Sequence, residues 1–88
     1  MNEKLVRAYA GEVSAALGSA NFEEVFARLK GDAEVRQDEA VAITSLLLEA
    51  PVAPSTARGT ALARILKLHN SLATFKLKQR AVGGRSAA

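Results

Sequence analysis

The 88-residue chain has no cysteine and no tryptophan, a single histidine, a single methionine and only two prolines. Without cysteine there is no disulfide staple, no thiolate nucleophile and no thiolate-bound metal. Aromatic rings are scarce, with three Phe and one Tyr, and Phe75 is the only ring after Phe26. Single-strand binding by base stacking needs a platform of such rings, so it is not expected. The longest apolar stretch, residues 40–50, contains Thr44, Ser45 and Glu49. It falls far short of the roughly 20 residues that cross a bilayer. Charges at Glu3, Lys4 and Arg7 interrupt any apolar core of a signal peptide. The expected protein is therefore soluble and cytoplasmic, with no membrane partner. At this length the chain supports one domain with one modest core, and association with a partner would add to its stability.

The polar chemistry is equally thin. His69 is the one side chain suited to acid–base work near neutral pH. No acid lies within reach on the same predicted helix to orient its ring, and no nucleophile is marked beside it. A packed histidine with one hydrogen bond is the expected role. The acidic pairs Glu23-Glu24 and Asp38-Glu39 stand at predicted helix starts, where the helix dipole accounts for them without a metal. Gly83-Gly84-Arg85-Ser86 follows no strand and opens no helix, so it is not a phosphate loop. An enzyme, a cofactor, a metal site and a small-molecule ligand are all unexpected.

Charge is divided along the chain. All nine acids lie in the first 49 residues, where five bases leave a net charge of −4. From Ala50 onward there are seven bases and no acid: Arg58, Arg64, Lys67, Lys76, Lys78, Arg80 and Arg85. A basic segment of this kind suits an anionic partner, with nucleic acid the usual one. It equally suits an acidic face of this chain or of another protein chain.

Apolar spacing and end signals predict four helices and no sheet, an all-α fold. The first covers residues 2–17, with Leu5, Tyr9, Val13 and Leu17 at four-residue spacing, Val6 and Ala16 beside them in one stripe, and Gly18-Ser19 as its stop. The second, residues 22–30, opens with Asn21 and Glu24 placed as a capping box and ends at Gly31. The third, residues 37–49, is apolar nearly all round through Val41, Ile43, Leu46, Leu47 and Leu48. That makes it the expected centre of the fold. Pro51 and Pro54 then impose an extended connection. The fourth helix is predicted to start with Ser55 or Thr56 as its cap and to run to about residue 82 before Gly83-Gly84. Residues 1–82 form the expected domain, and residues 83–88 a flexible tail. The predicted core is Leu5, Tyr9, Val13, Phe22, Phe26, Leu29, Ile43, Leu47, Leu62, Ile65 and Leu72.

At about 100° per residue, Leu62, Ile65, Leu66, Leu72 and Ala73 share an apolar arc around His69. Arg64, Lys67, Ser71, Thr74 and Lys78 form the polar strip opposite. Cations and hydroxyls at helical spacing are what phosphate recognition needs. A helix, a short connection and a basic helix also describe a helix-turn-helix, with Ser55 and Thr56 capping its second helix. The two prolines make the connection longer than the usual turn, which favours a helix–extended–helix segment over residues 34–70.

Within it, residues 55–65 resemble the second half of SAP-type domains: a small or glycine-containing turn, a base, then Leu62 and the Arg64-Ile65 pair. Arg58 stands one position from that family's base, and the glycine before it is missing. The likeness spans about 35 residues, and the chain is also similar in general look to small uncharacterised bacterial helical proteins. The SAP resemblance implies DNA binding through Arg58 and Arg64. The expected function is thus a small non-enzymatic binding module that neutralises phosphates with Arg58, Arg64, Lys67 and Lys78. The alternative is a protein-interaction or self-associating module with no nucleic-acid role, in which the apolar arc of the fourth helix docks on a partner or forms a homodimer.

Overall fold

Four helices follow one another: α1 (Glu3–Ala16), α2 (Phe22–Gly31), α3 (Gln37–Leu48) and α4 (Arg58–Ala87). The computed structural model describes the backbone of residues 1–87 and the side chains of residues 1–74, and there is no strand among them. α3 lies between α1 and α4, and α2 packs on α1. The predicted all-α fold is the fold observed; the link after α3 is non-helical, with a turn at Pro54-Ser55. The central place of α3 follows from its sequence, since it has apolar side chains to offer on two sides.

α1 buries Val6, Tyr9, Val13 and Ala16, whereas Leu5 and Leu17 of the expected stripe are only half-buried. A row of strict four-residue steps drifts round a helix of 3.6 residues per turn. Alternating steps of three and four stay on one face. α2 buries Phe22, Phe26 and Leu29. α4 contributes Ala61, Leu62 and Ile65. The predicted Leu47 and Leu72 are half-buried, and Leu46 is 54% exposed. Small residues replace them at the centre: Ala40, Thr44 and Ala61 are fully buried. Thr44 Oγ1 donates to Ala40 O at 2.8 Å and to Ala61 O at 3.1 Å. α3 and α4 therefore meet on short side chains. Val35, between α2 and α3, and Val52, between α3 and α4, complete the core.

Several helix ends differ from expectation. Asn2 is the cap of α1 rather than its first residue, with Oδ1 accepting from Leu5 N at 3.1 Å. The capping box at Asn21 does not form. Asn21 has φ −87° and ψ 3°, not the extended backbone a cap needs, and its Oδ1 accepts from Ser19 Oγ instead. Ser55 and Thr56 do not cap α4. Thr56 N closes a turn on Ala53 O at 2.9 Å, and the first helical bond runs from Ala61 N to Ala57 O. Nor does α4 stop at Gly83-Gly84, since its bounds extend to Ala87. Glycine costs about 1 kcal/mol in a helix interior but keeps its N–H donor, and there is no proline between Arg58 and Ala87.

α3 ends in the left-handed region at Glu49, with φ 53°. Ala50 N reaches back to Ser45 O at 3.3 Å, as in a Schellman turn. The link after α3 is fixed from α3. Gln37 Nε2 donates to Pro54 O and Thr56 O, both at 2.6 Å, and Val52 N donates to Ser45 Oγ at 3.1 Å.

Candidate nucleic-acid interface

The first turn of α4 brings Arg58 under the C-terminal end of α2. Its Nε donates to Val35 O at 2.7 Å, and its Nη2 to Lys30 O at 2.8 Å. Longer contacts from Nη2 reach Leu29 O at 3.3 Å and Asp32 O at 3.4 Å. The last carbonyls of a helix have no partner within it, and a guanidinium satisfies several at once. The first of the predicted phosphate ligands is thus occupied by the protein's own backbone. The partners lie 23 to 29 residues upstream, so no local pattern announces this role.

Arg64 and Lys67 are placed differently. Both are exposed, three residues apart on the solvent side of α4. Thr60 and Ser71 are exposed on the same strip, and so is Thr74, whose hydroxyl donates to Asn70 O at 2.9 Å. Among the described residues the one ion pair is Arg28–Glu12, far from this strip in sequence. Lys78, the fourth predicted ligand, lies outside the described side chains. Of the predicted phosphate ligands, Arg64 and Lys67 are therefore directed to solvent, whereas Arg58 is bonded to carbonyls.

His69 occupies the opposite side of α4. Its Nδ1 accepts a hydrogen bond from Gly18 N at 2.9 Å, so a neutral ring carries its proton on Nε2. The ring stacks on Phe22 with centroids 3.8 Å apart, and Phe22 in turn stacks on Phe26 at 5.2 Å. This is the packed, singly bonded histidine the sequence predicts. It closes the α1–α2 joint, where Gly18 takes φ 74°, a backbone favoured by glycine.

Two carboxylates hold α1 in place. Glu39, almost fully buried, accepts from Asn2 N at 2.9 Å and from Arg36 N at 3.0 Å. The Asn2 amide, against the cost of burial, holds its carboxyl below the usual range. Asp32 accepts from Tyr9 OH at 2.6 Å and from Glu34 N at 2.9 Å, and the Tyr9 hydroxyl is the main reason its pKa is lowered. Burial, then the bond to Asp32, push the Tyr9 phenol up to about 12. Sequence spacing gave no sign of either link, because both join residues more than 20 positions apart.

Among the described residues no three His, Asp or Glu side chains gather as a metal site, and no helix is long and apolar enough to cross a membrane. No family model, curated protein or solved structure matches the chain.

Proposed function

We propose that the chain is a small cytoplasmic, non-enzymatic helical module that binds nucleic acid along α4 by phosphate neutralisation. One observation carries this reading. α4 has seven bases and no acid over 30 residues, and its described exposed cations, Arg64 and Lys67, point to solvent beside Thr60 and Ser71. Hydroxyls and cations on one strip suit phosphate oxygens and carry no base information. The SAP resemblance supports the same reading through Arg64. It does not supply Arg58 as a ligand, because that guanidinium is already engaged by carbonyls.

Titration of duplex DNA at several salt concentrations tests this. Each phosphate contact contributes about −0.9 to the slope of log K against log[salt]. The double variant R64E/K67E should fold normally, bind every sequence more weakly and flatten the slope by about 2. An unchanged affinity in that variant, or no binding at low salt, overturns the proposal.

A further inference from the structure

α4 is far longer than its neighbours. At 1.5 Å per residue its 30 residues span about 45 Å, against about 21 Å for the 14 residues of α1. The molecule measures 53 × 24 × 18 Å, so its long axis is that of α4, and the helix overhangs the other three. Among the described side chains His69 is the furthest along α4 to bond or stack on another segment, and more than half of the helix follows it. At about 100° per residue the described exposed residues of α4 occupy one arc roughly 160° wide. Asn70, Ala63 and Thr74 lie near its middle, and Lys67, Ser71 and Arg64 follow toward one edge. The Asn70 carboxamide has no partner among the described residues. Only its main-chain carbonyl is engaged, by the Thr74 hydroxyl.

We infer that α4 lies in the major groove of B-form DNA, with the Asn70 carboxamide bonded to the edge of an adenine. The inference rests on the nucleic-acid reading above and adds a groove and a base to it. The helix carries bases and no acid along its whole length, so every charge it brings to the groove suits phosphate. A helix with its side chains is about 10–12 Å across, which matches the roughly 12 Å major groove of B-DNA. The corresponding groove of A-form RNA is too narrow for side chains to read. In the groove, the middle of the exposed arc turns to the base edges and its flank to the phosphates of the groove wall. Arg64 and Ser71 stand on that flank. Ala63 is short and central, so the helix axis can approach the bases. Asn70 stands beside it, and Asn offers a donor and an acceptor together to adenine N7 and N6. Ile65, buried in the core, lies opposite the middle of the arc, so the other helices sit away from the duplex.

Dimethyl sulfate methylates guanine N7 in the major groove and adenine N3 in the minor groove, so its protection pattern on bound duplex reads the groove. Guanine N7 should be protected and adenine N3 left reactive. Selection from duplexes with a randomised tract should enrich adenine at one position. Asn70→Ala should remove that enrichment and weaken binding to the selected duplex about tenfold. It should leave the affinity for an unselected duplex and the salt slope unchanged. Alanine is the better helix former, and circular dichroism should show the variant folded. Protection of adenine N3 in place of guanine N7 overturns the inference. So does equal affinity for duplex RNA, the absence of any enriched adenine, or an enrichment that survives Asn70→Ala. Salt-dependent DNA binding that R64E/K67E weakens, without guanine N7 protection, would leave the phosphate reading standing while this one falls. No binding to DNA at low salt removes both.

Discussion

Arg58 and Arg64 lie on one helix, and a sequence treats them as equivalent cations. Their surroundings separate them. Arg58 spans the end of α2 and the following turn through Val35 O and Lys30 O, so it acts as a strut between helices. Replacing it with Gln should cost about 2 kcal/mol in urea unfolding, since hydrogen bonds from a charged group are the stronger kind and their carbonyls lose a partner. Arg58→Lys should recover little, because one ammonium cannot copy the planar fork. Neither change should flatten the salt slope of DNA binding if Arg64 and Lys67 carry the contacts. His69 makes a similar case on the opposite side of α4. His69→Phe keeps a ring over Phe22 but strands the Gly18 N–H, a loss of about 1 kcal/mol. The sequence showed that His69 lies on the apolar arc, and hence that it packs. It did not show Gly18 as its partner, because that contact spans 51 residues.

Helices are legible at the level of existence and less so at the level of which face wins. α3 illustrates the reason. Its run of apolar residues announced a central helix, and α3 does lie between α1 and α4. The same run could not show which residues meet the neighbours, since a helix apolar all round has no preferred side. Close approach at Thr44 and Ala61 puts Ile43 in the core and leaves Leu47 half-buried. Ile43→Ala should therefore cost about 2–5 kcal/mol, and Leu47→Ala clearly less, in paired denaturation curves. The end of α3 offers a change in the other direction. Glu49 holds a left-handed backbone without being glycine, a conformation that costs an L-residue roughly 1–2 kcal/mol. Glu49→Gly should raise the unfolding midpoint, by about 0.5–1 kcal/mol after the added freedom of the unfolded chain is counted. The missed caps at Asn21 and at Ser55 or Thr56 have a common cause. A capping residue type marks a turn, but the backbone angles within the turn decide which residue occupies the cap.

For the molecule as a whole, three titrating groups fasten α1 to the link after α2 and to the first turn of α3, and they set the pH range of the fold. Glu39 and Asp32 have lowered pKa values. A carboxylate lowered in the native state adds stability above its unfolded value of about 4. That stability is lost as pH falls through the native value. Tyr9 is the reverse case, raised from 10.0 to about 12. Its contribution is complete below pH 10 and is lost as pH climbs toward 12, when a phenolate would face the Asp32 carboxylate across their hydrogen bond. Stability against urea should therefore be flat through neutral pH and fall on both sides, below about 4 and above about 10. Variants separate the limbs. Glu39→Gln should be less stable than wild type at pH 7 and approach it as the acid limb is descended, because protonated Glu39 no longer offers Asn2 and Arg36 a carboxylate. Tyr9→Phe should remove most of the alkaline fall. It should also soften the acid limb, because the Asp32 pKa then loses the hydroxyl that lowers it most. Amide exchange at Asn2 and Leu5 should accelerate before that of the α3–α4 core on the acid limb, because both carboxylates accept hydrogen bonds from α1 or its cap. Exchange rising equally in every helix would mean that these links are part of the global unfolding alone, and that α1 has no separate release.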